Sequence, residues 1–127
     1  MPAARRLRFA KKPSKLPPRR PRHVPTASDP RAEYVVRAKV WLYSGAGGWH
    51  FVNLSARQSG EIRVRFGGNA RGWGSLPVEI TLGGTVWRTS IFPDRKSDTY
   101  LFAIKAEVRK REGVVAGSTI RALVRIR

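Results

Sequence analysis

Residues 74–92, GSLPVEITLGGTVWRTSIF, constrain this chain more than any other stretch. Leu76, Val78, Ile80 and Leu82 recur at every second position, the period at which a strand turns one face to a core. Gly83 and Gly84 then separate this run from a second of similar length. Two glycines adopt the positive φ of a primed two-residue turn without a Cβ penalty, so the stretch predicts an antiparallel hairpin.

Other segments repeat the pattern. EYVVRAKVWLY (33–43) sets Val36, Ala38, Val40 and Leu42 against Arg37, Lys39, Trp41 and Tyr43. SGAGG (44–48) reads as a turn, and WHFVNL (49–54) as the returning strand. TYLFAI (99–104) is a further strand, and STIRALVRIR (118–127) the last, with Ile120, Ala122, Val124 and Ile126 inward. Ser55 and Gln58 have the spacing of a capping box and open a helix. The EIRVRF that follows alternates like a strand, but length and cap favour the helix. AEVRKREG (106–113) is the second helix, with Gly113 as its C′ residue. The expected order is β-β-α-β-β-β-α-β: mainly β, a small double-split β-barrel with two short helices capping it. About 97 residues suffice to fold without metal or disulfide.

The strand-rich body begins after Asp29-Pro30. Residues 1–30, with seven prolines and nine basic residues, have too little apolar surface to offset the entropy of ordering. They read as a disordered basic arm ahead of a single domain over 31–127.

Lys and Arg outnumber Asp and Glu 26 to 8 over the chain, a net charge of +18. The body alone holds 17 basic and seven acidic residues, so it is basic without the arm. A field of that sign attracts nucleic acid and other polyanions, and it also serves plain solubility. There is no cysteine, no apolar run long enough to span a bilayer and no apolar signal core. The expectation is a cytoplasmic protein with no membrane span.

Taken in order, WHFVNL, RGWGSLPVEITLGGTVWRTSIFP, DTYLFAIKAEVRK and AGSTIRALVRI resemble a bacterial family known only as domain of unknown function nineteen-oh-five. The resemblance covers about residues 33–127. It implies a small pseudo-barrel with helices at its ends, related in fold to the AbrB/MazE-like double-split barrels. Relatives are sometimes fused to YdeI/OmpD-associated bacteriocin-protection domains. It implies no activity. The family enters its last strand with Gly-Asp where this chain has Gly117-Ser118, so no role of that acid carries over. Phe102-Ala103 stands where the family has Leu-Pro.

Little in the body points to catalysis. Its one histidine, His50, lies between Trp49 and Phe51 and reads as a partly buried strand residue. Ser90, His50 and Asp94 or Asp98 would be the members of a triad, yet no G-x-S-x-G elbow is present. One histidine and scattered acids offer no metal set, and no cofactor is expected. GGNARGWGS (67–75) places Trp73 and Gly74 where a phosphate loop needs Lys and Ser/Thr.

Binding is better supplied. Arg71, Trp73, Ser75, Trp87 and Arg88 flank the hairpin and form one candidate anion site. Arg37 and Lys39, with Trp41 and Tyr43, form a basic-aromatic face. The competing account makes the tryptophans core plugs and pairs Arg88 with Glu79. Alternation also sends Trp87 and Thr89 to one side and Arg88 and Ser90 to the other. The expected function is a non-enzymatic module for nucleic acid or another polyanion. The alternative is a pocket for a small acidic metabolite near Trp73, Trp87 and Arg88. A monomer or weak homodimer is expected.

Overall fold

The structure is a computed structural model that describes residues 32–127; the arm expected over 1–30 lies outside the described residues. Seven strands and two helices follow in the order β1 (Glu33–Lys39), β2 (Trp41–Leu42), β3 (His50–Asn53), α1 (Ala56–Phe66), β4 (Leu76–Leu82), β5 (Thr85–Asp94), β6 (Thr99–Ala103), α2 (Ala106–Glu112) and β7 (Thr119–Ile126). All pairings are antiparallel, in the order β1-β7-β4-β5-β6-β3-β2.

The ends of that order are two halves of one extended run. β1 pairs with β7, β2 pairs with β3, and only Val40 separates them. Buried Val40 donates its N–H to the Ser118 carbonyl and accepts from Gly117 N–H, so hydrogen bonding carries through the break. The sheet therefore returns on itself as a barrel-like wall. β5 divides in the same way, with residues through Ile91 on β4 and Phe92–Asp94 on β6.

These two divided strands relate the halves of the chain. Strand, strand, helix, strand over 33–82 is repeated over 85–126, and the register repeats with it. Trp41 faces Phe51 and Leu42 faces His50; Phe92 faces Leu101 and Pro93 faces Tyr100. Leu54 N–H donates to Tyr100 O, and Ile104 N–H to His50 O. Val52 and Phe102, equivalent in the two halves, lie opposite each other with no exposure.

The core is the one the alternation prescribes. Leu76, Val78, Ile80 and Leu82 of β4 and Ile120, Ala122, Val124 and Ile126 of β7 are all buried. The hairpin between β4 and β5 has the expected two-residue connection, with Gly83 at φ +58°. Its open Cα lies against the Glu112 side chain, which also accepts the Thr85 hydroxyl, so the turn is tied to the end of α2.

Ser55 caps α1 through the anticipated box: its hydroxyl accepts Gln58 N–H, and the Gln58 amide oxygen accepts Ser55 N–H at 3.3 Å. The helical period wins over the alternation of EIRVRF because it buries Ser59 and Ile62 on one face, and it leaves Val64 86% exposed. α2 buries Val108 and ends at Gly113 in the left-handed region, φ +68°.

Two expectations for residues 33–43 are corrected. They form two strands, and Leu42, placed on one face with Val36 and Val40, is 52% exposed while those two are buried. The reason is the change of partner at Val40, beyond which the alternation of β1 no longer determines what faces the core.

Candidate functional site: a basic strip and an aromatic trough

The outer face of β1-β7-β4-β5 is ordered in rows across the strands. Glu33, Arg125, Glu79 and Arg88 lie side by side in register, alternating in sign. Arg125 bonds Glu79 and approaches Glu33 at 3.9 Å, while Arg88 reaches Glu79 at 4.0 Å. The adjoining row is Val35, Leu123, Thr81 and Val86. Beyond it the compensation stops. Arg37 stands directly opposite Arg121, both exposed, and Lys39 lies one step further along β1.

Like charges in cross-strand register repel. Among the described residues, no carboxylate contacts Arg37, Lys39 or Arg121. The seven acids of the body are engaged elsewhere: Glu33, Glu61, Glu79, Asp98 and Glu107 in ion pairs, Asp94 with Ser97, and Glu112 with Thr85.

The outer face of β5-β6-β3-β2 is built differently. Trp41, Phe51 and Ala103 form one row, and Asn53, Leu101 and Phe92 the next. Tyr43 and Trp49 join them from the ends of the β2–β3 connection. The Phe51 and Trp49 rings are nearly parallel, 4° apart with centroids at 6.1 Å, and Tyr43 meets Phe51 edge-on at 6.2 Å. Turn glycines make room for these rings. A Cβ on Gly45 would strike the Tyr43 ring, and one on Gly47 would sit 2.9 Å from the Trp49 indole nitrogen.

Together these side chains enclose an open trough of about 550 Å³. One wall is Tyr43, Trp49 and Phe51; the other is Thr89, Ser90 and Phe92; Leu101 and Ala103 make the floor. At the far end of the same face, Trp41 Nε1–H donates to Asn53 Oδ1 at 2.6 Å. The Asn53 amide donates in turn to Thr99 Oγ1 at 3.0 Å and Ser97 Oγ at 3.2 Å. The Ser97 hydroxyl is held by Asp94 at 2.8 Å.

The residues singled out from sequence are distributed over three places. Arg37 and Lys39 lie on the uncompensated strip. Arg88 is exposed on the charged row, 4.0 Å from Glu79, with its strand neighbour Trp87 half-buried opposite Ile80. Arg71, Trp73 and Ser75 form a tight turn before β4, closed by Arg71 N–H to Ser75 O at 2.8 Å. Ser75 is buried, whereas Trp73 is 92% exposed with φ +64°. A Cβ on Gly74 would meet Pro93, so this turn adjoins the end of β5. Trp87 is six residues back along that strand, roughly 20 Å at strand rise. Trp73 and Trp87 are therefore not brought together.

His50 Nδ1 is 2.8 Å from Gly48 O, which fixes that nitrogen as the protonated donor. Sequence reasoning passed over Trp49, Phe51, Phe92 and Leu101 as trough residues. The available signal was that SGAGG is flanked by Tyr43 and Trp49. Among the described residues, no helix is long and apolar enough to cross a membrane.

Fold and surface together define a small mainly-β barrel protein with an uncompensated arginine pair and an open aromatic trough. The model of the family described as Domain of unknown function (DUF1905) matches residues 37–124, and the chain belongs to that family. No curated protein matches the chain.

Proposed function

We propose that the body is a non-enzymatic binding module for a polyanion, with single-stranded nucleic acid as the ligand its surface fits best. The observation that carries the reading is the Arg37–Arg121 pair, two exposed guanidiniums in direct register with no acidic partner among the described residues. Their repulsion is relieved when phosphate lies between them, so the pair favours the bound state over the free one. Lys39 extends the cationic strip, and on the same strand run exposed Trp41 and Tyr43 offer faces on which bases stack. Arg71 and Trp73 supply a second exposed basic-aromatic point, one where the left-handed backbone of Trp73 holds its ring out in solvent.

The test is fluorescence anisotropy of a labelled single-stranded 12-mer with the full-length chain and with Arg37→Glu/Arg121→Glu. Charge reversal is expected to weaken binding at least tenfold at low salt, with the melting temperature as the folding control. Unchanged affinity would remove the strip from the site.

A further inference from the structure

We infer that the trough between β3 and β5 receives one uncharged planar heteroaromatic ring of the nucleobase kind. The inference deepens the reading above and rests on it only for the phosphates, not for the ring. The walls stand on strands separated by β6, two strand spacings, or about 9.6 Å between backbones. On the floor between them, the Phe51 side meets only the single methyl of Ala103, opposite Phe51 in register, with Leu101 beside it. A flat ring enters such a slot edge-first and finds apolar surface on both sides. A volume of about 550 Å³ holds a ring system with its attached sugar.

Two features select the chemistry. The first is that, among the described residues, no charged side chain lines the trough. An anionic or cationic ligand would lose hydration there without a counter-charge, which disfavours both. The second is the half-buried hydroxyl of Ser90, on the outer face of β5, whereas Thr89 pairs with buried Val78 and faces the other side. The Ser90 hydroxyl has no side-chain hydrogen-bond partner among the described residues, whereas Ser97 and Thr99 on the far end of the face are bonded to each other at 2.7 Å. A free hydroxyl on one wall of an aromatic slot can donate to or accept from the hydrogen-bonding edge of a heterocycle.

Position links the ring to the strip. Tyr43 on the trough wall is four residues from Lys39 and six from Arg37, roughly 13 and 20 Å along the extended chain. A strand whose base occupies the trough thus carries its neighbouring phosphates toward those cations. A free nucleoside has the same ring chemistry and lacks that second contact.

The experiment compares three probes on the full-length protein: an eight-residue oligothymidylate, an abasic oligonucleotide of equal length and charge, and free adenosine. Each is measured on the wild type and on Ala103→Leu, which fills the floor from a half-exposed position, with melting temperature as the folding control. The base-bearing strand is expected to bind roughly five- to hundredfold tighter than the abasic one, the range that one stacked base supplies. Ala103→Leu should erase that difference and leave abasic binding unchanged. Equal affinity for the two strands overturns the ring site and leaves the basic strip standing. If neither strand binds, the strip is lost, and adenosine decides the ring site. Saturable tryptophan quenching that Ala103→Leu abolishes then supports a nucleoside site, and its absence overturns the inference.

Discussion

Ser59 shows how one hydroxyl completes the barrel where a strand gives out. Its side chain, fully buried on α1, accepts the Tyr100 N–H at 2.9 Å. β3 has already turned into the helix at that level, so no strand carbonyl is left to take this donor. Ser59→Ala should leave it buried and unpaired and cost about 1–3 kcal/mol. Thermal melting should show this as a drop of several degrees, at roughly 4–8 °C per kcal/mol for a domain of this size. Tyr34 is a second case. Burial raises its pKa above 10, a shift opposed by the Arg65 charge and supported by its hydrogen bond to Glu61. The folded state holds this proton more tightly than the unfolded state does. The resulting stability is complete below about pH 10 and is lost as pH rises through the folded value. Tyr34→Phe should therefore melt with a smaller loss between pH 9 and pH 11.5 than the wild type. Trp73 marks what residue type alone conceals: tryptophan reads as core, yet three of the four are exposed, Trp41, Trp49 and Trp73, and Trp87 is half-buried.

At the scale of elements, local chemistry and structure agree where a single segment decides the outcome. The Gly83-Gly84 connection, the Ser55 box and Gly113 each lie where the residues place them, because a turn or a cap is a contact among neighbours in sequence. Replacing Ser55 with alanine removes the acceptor for Gln58 N–H and should lower stability by about 1 kcal/mol, read from urea or thermal unfolding. The trough was not legible in this way. Phe51, Phe92 and Leu101 share a face only through strand pairings, and the one that brings Phe51 in joins it to Ala103, 52 residues away in sequence. A one-residue slip in either pairing would turn these rings inward. The Arg37–Arg121 pair is hidden for the same reason, since its partners are 84 residues apart and each alone looks like an ordinary solvated charge.

Taken as a whole, residues 33–126 form a doubled unit whose divided strands, β1–β2 and β5, each bridge the two parts of the wall. One chain supplies both units of this barrel-like sheet. The doubled fold carries unlike surfaces. One outer face has a neutralised charge row beside the uncompensated strip, and the other carries rings and, among the described residues, no charge along its trough. The central claim, that of the proposed function, is that this division provides separate places for phosphate and base. Salt dependence tests it most directly. Affinity of the full-length protein for single-stranded DNA should fall with salt, each phosphate contact contributing roughly −0.7 to the log–log slope. Replacing both Arg37 and Arg121 with alanine should make that slope shallower by about 1.4. An identical slope in wild type and variant would contradict the claim, because the strip would then make no contact with the phosphates.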